Sequence, residues 1–389
     1  MKQRPTVCRN PSYRIAEMAK PGLFLVFLAI LMTVSFVPAE AQVQARRLYK
    51  VSNSDNRIGF IDKSGKLVIG FERFPAGTYI GDFSEGLAPI CFPQSPKHTC
   101  ELSGFIDETG KIVIAPRFKG VGEFSEGLAV VQTETSAGFI NRSGEMVIRL
   151  EDPISPGFRE GRAAVRTLQG WGFIDRNGKF ISGNRYVHVE SFSEGLAAVA
   201  IGRAQDRRYG FINKEGEMVI PARFEPSWGQ MRMLGEIANL THFSNGLARI
   251  KIKDRFGYID KKGEIVIPVR FRQAQDFSEG LACVEHEDGQ SGFIDKTGRF
   301  VIKLESAGPH KFSEGLAVAG IHTDGGLKLG YIDRTGKIVI PPKFLSAREF
   351  VDGVAEVRSY ITPKDGPGPH RTTLIGYIDR AGQYIWQPQ

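Results

Sequence analysis

Tryptophan and cysteine are scarce in this chain of 389 residues, with three of the first and four of the second. The seven histidines, His98, His188, His242, His286, His310, His322 and His370, are scattered. None forms a His-x-His or His-Glu-x-x-His pattern, so no metal site is expected. There is no Gly-x-Ser-x-Gly elbow and no phosphate loop, which removes the common serine-hydrolase and nucleotide-binding signatures. No catalytic residue and no cofactor is assigned. Long apolar runs are also missing, except for residues 23–37. That run falls short of the roughly 20 residues that cross a bilayer as a helix.

The run reads instead as the core of a signal peptide. Lys2, Arg4, Arg9, Arg14 and Lys20 precede it, and Ala39-Glu40-Ala41 supplies a small-x-small cleavage site. Residues 1–41 are expected to leave and 42–389 to form the mature protein, exported to the periplasm or beyond. An uncleaved segment that anchors the protein is the alternative. No Cys follows the site, which argues against a lipoprotein. The formal charge of +8 loses five basic and two acidic residues with the leader and becomes +5. An exported chain meets no cytosolic nucleic acid, so this modest excess reads as solvated surface.

Cys91, Cys100 and Cys283 remain in a compartment where disulfides persist. Cys91 and Cys100 flank residues 92–99, an enlarged hairpin loop, and a disulfide is expected across its neck. Cys283 stands where sister copies carry Val or Ala and is expected to be a buried small hydrophobe.

What the chain has in abundance is a repeat. Gly-Phe/Tyr-Ile-Asp/Asn recurs nine times, at Gly59, Gly104, Gly138, Gly172, Gly210, Gly257, Gly292, Gly330 and Gly376. Between successive copies a Phe followed by Ser-Glu-Gly-Leu-Ala or a close variant appears eight times, at Phe83, Phe124, Phe158, Phe192, Phe243, Phe277, Phe312 and Phe350. Self-similarity at a period of 34 to 47 residues marks a repeat architecture.

One unit illustrates the fold. Residues 128–132, 138–141 and 146–148 are β-rich runs bounded by turn residues. Between the second and third runs most copies read Asp/Asn-x-x-Gly, as in Asp107-Glu108-Thr109-Gly110. Asp or Asn bonds its own backbone and Gly accepts positive φ, which predicts a type I turn with a G1 bulge. Runs such as Ile265-Val266-Ile267 are continuously apolar, so both faces of each sheet should be covered. The expectation is an all-β tandem array of about nine three-stranded β-meanders. Neither terminus supplies a strand to the other, and nine blades exceed the usual propeller, so an open β-solenoid or superhelical stack is favoured; a β-propeller is the alternative.

The repeats resemble the WG-repeat family, whose consensus reads approximately Trp-Gly-Phe-Ile-Asp, a Gly turn, Val-Ile-Pro, then Phe-Ser-Glu-Gly-Leu-Ala. The resemblance covers residues 48–389. Ile-Pro is kept at 220–221, 267–268 and 340–341, and the Phe block is intact at 83–88, 124–129, 192–197, 277–282 and 312–317. Only Trp171 keeps the namesake Trp; Ile58, Ser103, Ala137, Tyr209, Phe256, Ser291, Leu329 and Ile375 replace it. The resemblance implies a β-repeat binding or scaffold protein, often exported, with no catalytic activity.

The recurring acids are best read as turn residues. Asp62, Asp107, Asp175, Asp260, Asp295, Asp333 and Asp379 give way to Asn141 and Asn213 where a cap suffices, and Glu85, Glu126, Glu160, Glu194, Glu279 and Glu314 to Asn245 and Asp352 beside a turn Gly. Function is sought where copies differ, because insertions map to loops. The largest insertion, residues 227–240, carries Trp228, Met231 and Met233, either a cap on apolar surface or an anchor for a partner. The leading expectation is a non-enzymatic exported protein that presents a rigid surface to a protein or cell-envelope polymer. A glycan or cell-wall module using the aromatic run Trp171, Tyr209 and Phe256 is the first rival. A propeller-type hydrolase drawing on Asp206, Glu236, Glu285 or Asp288 is the second.

Overall fold

Each Asp/Asn-x-x-Gly segment folds as its turn chemistry demands in the computed structural model, which describes residues 47–93, 100–150, 155–181, 183, 185–203, 206–225, 241–304, 310–324, 326–361 and 372–387. Asp107 Oδ1 accepts the N–H groups of Thr109 and Lys111 at 2.9 and 3.0 Å, and Gly110 N donates to Asp107 O. Gly110 sits at φ +78°, and the register slips between Phe105 and Ile106 where the bulge falls. The second block makes a tighter hairpin. Ser84 and Leu87 exchange both backbone bonds, and Glu85 and Gly86 take φ +53° and +78°, the two left-handed positions of a type I′ turn.

The described residues hold thirty-three strands and one short 3-10 turn at Phe71–Arg73. Strands pair antiparallel with their sequence neighbours into eight sheets, five of them four-stranded. One sheet has seven strands, because Ile265–Ala274 continues past its own hairpin to pair with Ala282–His286 of the next copy. The three-stranded expectation falls one strand short for most copies. The added inner strand is two residues long and too brief for alternation to betray it: it opens on the Phe of the second block at Phe243–Ser244 and Phe312–Ser313, and lies just before that Phe at Tyr79–Ile80 and Ser346–Ala347.

Adjacent sheets pack face to face. The aromatic residue of each Gly-Phe/Tyr block meets the next Phe edge-on or tilted, with ring centroids 4.7–5.0 Å apart, as in Phe105 with Phe124 and Phe293 with Phe312. Opposite each such Phe in the inner pairing stands a small residue, Ala248 beside Phe243 and Ala317 beside Phe312. Ala88, Ala129, Ala163, Ala197, Ala282 and Ala355 hold the same register. The ring needs the space that Ala leaves.

The first sheet, Tyr49–Ser52, Ile58–Ile61 and Leu67–Ile69, has no inner strand among the described residues. At its Ala position stands Tyr49. That ring lies 5.5 Å from Tyr377 of the last sheet, and Tyr49, Val51, Ile61, Val354 and Tyr377 form one buried cluster. Tyr49 Oη donates to Val351 O at 3.0 Å and Tyr377 Oη to Lys50 O at 2.7 Å. These two bonds join residues 302 and 327 positions apart. Among the described residues these contacts between the first and last sheets are made by side chains, with no strand pairing between the two.

Cys91 and Cys100 are joined in a disulfide with Cα atoms 5.7 Å apart, and Cys283 is buried. No helix of the described residues is long and apolar enough to cross a membrane.

Candidate functional site

The repeated acids do more than shape their own turns. The Glu85 carboxylate accepts the N–H groups of Glu126 and Gly127 in the next copy, at 2.6 and 2.9 Å. The pattern then repeats: Glu126 to Gly161, Glu160 to Gly195, Glu194 to Gly246, Asn245 to Gly280, Glu279 to Gly315 and Glu314 to Gly353. The neighbouring Ser hydroxyls donate forward to the next Phe carbonyl, as Ser278 does to Phe312 at 2.6 Å. Basic residues of the following turn join the rungs built on Glu, as Lys214 does with Glu160 at 3.0 Å and Arg334 with Glu279 O at 2.8 Å. A second ladder runs along the long strands, where Arg73, Arg117, Arg223 and Arg270 donate to the turn carbonyls of Gly110, Gly144, Gly263 and Gly298. These acids are committed to holding copies together.

Five residues just before a block Phe, Asp82, His242, Asp276, Lys311 and Glu349, are not. They line three adjoining recesses of about 440, 450 and 300 Å³. Lys50, Asp82, Arg348 and Glu356 border the first; His310 and Lys311 with Arg348 and Glu349 border the second; His242, Asp276, His310, Lys311 and Glu349 border the third. Shared residues make them one continuous run.

Charges of both signs alternate along it. Lys50 pairs with Asp82 at 3.0 Å, Lys311 with Glu349 at 4.0 Å, and Arg348 with Glu356 at 3.4 Å. His242 Nδ1 and Arg249 Nε approach Asp276 only to 3.7 and 3.8 Å, and neither Asp276 Oδ1 nor Arg249 Nε has a hydrogen-bond partner although both atoms are buried. Separations of that size leave room for a bridging group. Burial pushes the His310 imidazole below its usual pKa, with Glu349 pulling the other way. Such a lining offers paired donors and acceptors to a polar guest of mixed charge. Among the described residues no group of three His, Cys, Asp or Glu could hold a metal ion.

The residues singled out from sequence fare differently. Trp228, Met231 and Met233 lie outside the described residues, as does Glu236. Tyr209 is no exposed platform: it is 2% exposed, packed on Phe211 and Phe224, with its hydroxyl on Arg249 O at 3.1 Å. Trp171 is half-buried and edge-on to His188, and Phe256 is half-buried beneath the Arg249 guanidinium. The aromatic run is therefore interrupted by a core residue. Glu285 pairs with Arg272, Asp288 with His286, and Asp206 is exposed. The charged run was not foreseen, because its residues differ from copy to copy and only the fold aligns them.

These hairpins, ladders and packed aromatics define a tandem β-repeat protein. The chain belongs to the family of the WG containing repeat, which matches residues 58–92, 104–134, 171–202, 209–225, 256–289, 292–320 and 330–359, more than half of its length. No curated protein matches it. Among solved structures it is similar to BamB from Moraxella catarrhalis, with 13% identity, TM-score 0.39, and 80% of this chain and 97% of that one covered. It is also similar to apo AztD from Citrobacter koseri, with 13% identity, TM-score 0.41, and coverage of 75% and 93%. Kluyveromyces lactis Hsv2p matches with 8% identity, TM-score 0.38, and coverage of 77% and 97%.

Proposed function

We propose that this is an exported, non-enzymatic β-repeat protein whose nine copies close into a ring and hold a partner polypeptide on the run of mixed charges. The contacts of Tyr49 and Tyr377 support the ring, and the leader sequence and the Cys91–Cys100 pair support export. In a ring the inner strands face the axis, so Lys50, Asp82, Asp276, Lys311 and Glu349 line its mouth. The observation that carries the binding reading is that Asp276, partly exposed in a recess, is approached by His242 and Arg249 only to 3.7 and 3.8 Å, beyond hydrogen-bond distance. A guest that donates to the open side of this carboxylate supplies the bond that neither neighbour makes.

The test is retention of envelope proteins from extract on immobilised mature protein, compared with Asp276→Ala, Lys311→Glu and Glu349→Lys. A defined partner lost from all three variants, with their melting unchanged, supports the reading. Equal retention on all four proteins overturns it. Salt-resistant retention on purified peptidoglycan that Trp171→Ala abolishes establishes the glycan rival instead.

A further inference from the structure

We infer that the joint between the first and last sheets is a latch, the one joint of the ring that opens and recloses while the others hold. The inference rests on the ring proposed above. Elsewhere, adjacent copies are tied by carboxylate and hydroxyl rungs from one Phe-block hairpin to the next, and these bonds form only when the hairpins are aligned. At the closing joint the sequence withdraws them. Val351 stands where Ser313 donates to Phe350 O in the preceding copy, so no hydroxyl reaches forward. Asp352 stands where Glu314 accepts from Gly353 N, yet the first sheet offers no Phe-Ser-Glu-Gly hairpin to receive it. Among the described residues no hydrogen bond joins the Asp352 carboxylate to the first sheet.

Among the described residues two tyrosine hydroxyl bonds, the ring contact of Phe71 with Trp386, the close approach of Gly65 to Ile385 O and one small apolar cluster replace those rungs. Local opening follows the joint with the fewest such ties. The recess of about 440 Å³ lies at this joint, lined from both sheets by Lys50, Asp82, Arg348 and Glu356. When the latch parts, that lining becomes reachable from the side. A partner chain too long or too folded to thread a closed ring could enter there. Burial and the nearby Asp352 push the Tyr49 phenol up to about 12, so alkali loosens the same contact.

Hydrogen exchange on the full mature protein tests the latch. Amides of Tyr49–Ser52 and Tyr384–Trp386 should exchange roughly tenfold faster than matched amides of Ile265–Ala274 and Ala282–His286. Chain-end fraying alone gives part of that, so the deciding variant is Tyr377→Phe, which keeps the ring packing and removes only the bond to Lys50 O. It should speed exchange in Tyr49–Ser52, across the joint, and leave Ala282–His286 unchanged. No change in Tyr49–Ser52, or equal acceleration everywhere, overturns the latch. Solution scattering separates the two ideas: a compact 348-residue body has a radius of gyration of roughly 20 Å. A value near that with no cross-joint effect leaves the ring standing and removes the latch, whereas a clearly larger value removes both.

Discussion

The hydroxyl of Tyr377 donates to Lys50 O, the carbonyl that in other copies receives an N–H from the inner strand. Gly81 N fills that role on Pro89 O, Gly122 N on Val130 O and Arg348 N on Glu356 O. Tyr49 makes the complementary substitution, its ring taking the volume that Phe occupies opposite Ala elsewhere. One tyrosine thus stands in for an amide and the other for a phenylalanine. Among the described residues the first copy has no inner strand, and the two tyrosines fill its place.

This exchange of sizes predicts that two substitutions of opposite sense both destabilise the protein. Tyr49→Ala brings the first copy closer to the repeat consensus, yet it leaves a cavity with no Phe to fill it and should cost about 3–5 kcal/mol. Ala282→Tyr copies the natural first-sheet residue into a buried site already filled by Phe277, and overpacking should cost about 1–3 kcal/mol or more. Urea unfolding of both variants checks this. A neutral Tyr49→Ala would mean that its ring is not structural.

Much of this architecture was legible in the sequence, because the repeat copies whatever every unit needs. The Gly and Asp of each turn and the buried Phe follow from local chemistry that any one copy displays, but the expected covering of both faces of runs such as 265–267 is corrected by the structure: Ile265 and Val266 are exposed and only Ile267 is buried. The inner strand was not legible, since two residues such as Phe243 and Ser244 carry no period. Nor was the contact between the first and last sheets: a lone Tyr in an Ala column signals a size change, but what fills the space depends on a residue 328 positions away. The acids were read correctly as structural and incompletely as turn formers, because the bond from Glu279 to Gly315 spans two copies.

That bond sets a second prediction. Glu279→Ala leaves the Gly315 N–H without its acceptor and should destabilise the protein by roughly 1–3 kcal/mol. Glu279→Gln keeps an oxygen in place and should cost less, as the natural Asn245, which accepts from Gly280 at 2.7 Å, shows. Chemical denaturation of the pair measures the difference. Equal losses would mean that charge, not the acceptor, is what matters at the rung.

Acid should weaken the array through the turns. The Asp333 carboxyl is held below its usual range by hydrogen bonds from Thr335 and Lys337, and that of Asp175 by those from Lys179 and Asn177. At Asp107 and Asp295 burial pushes upward but is outweighed by similar bonds from Thr109 and Thr297. A lowered folded-state pKa means that the unfolded chain binds more protons, so this stability is complete at neutral pH. It is lost as pH falls below about 4 and through the lowered values. Replacing all four by Asn keeps the turn, as Asn141 does natively by accepting from Ser143 and Glu145. The acid limb of the melting temperature should then flatten. An unaltered limb would place the acid sensitivity elsewhere, with Glu160 the next candidate because Lys214 and the Gly195 N–H hold its pKa down against burial.

The insertion offers a test that separates cap from binding site. Phe224 is buried and Thr241 is 2% exposed, so the residues flanking residues 227–240 are anchored in the array without it. Deleting residues 230–238 should leave circular dichroism and the main thermal transition unchanged. If the fold survives and a partner is lost, Trp228, Met231 and Met233 are the residues to change singly. If the array unfolds, the segment is a cap.

The last prediction concerns the disulfide. Cys91 is buried at the end of Leu87–Cys91, paired with Tyr79 and Ser103, while Cys100 begins the return of the enlarged loop. Closing a loop of this length removes unfolded-state freedom worth about 2–3 kcal/mol on the chain-entropy model. Under denaturing, non-reducing conditions thiol titration of mature protein should find one reactive sulfur, Cys283, and reduction should expose all three. Melting should fall on reduction, and Cys91→Ala with Cys100→Ala should show the same loss and no further response to reductant. Three thiols before reduction would mean that the pair is open in solution, and would remove with it one support for export to an oxidising compartment.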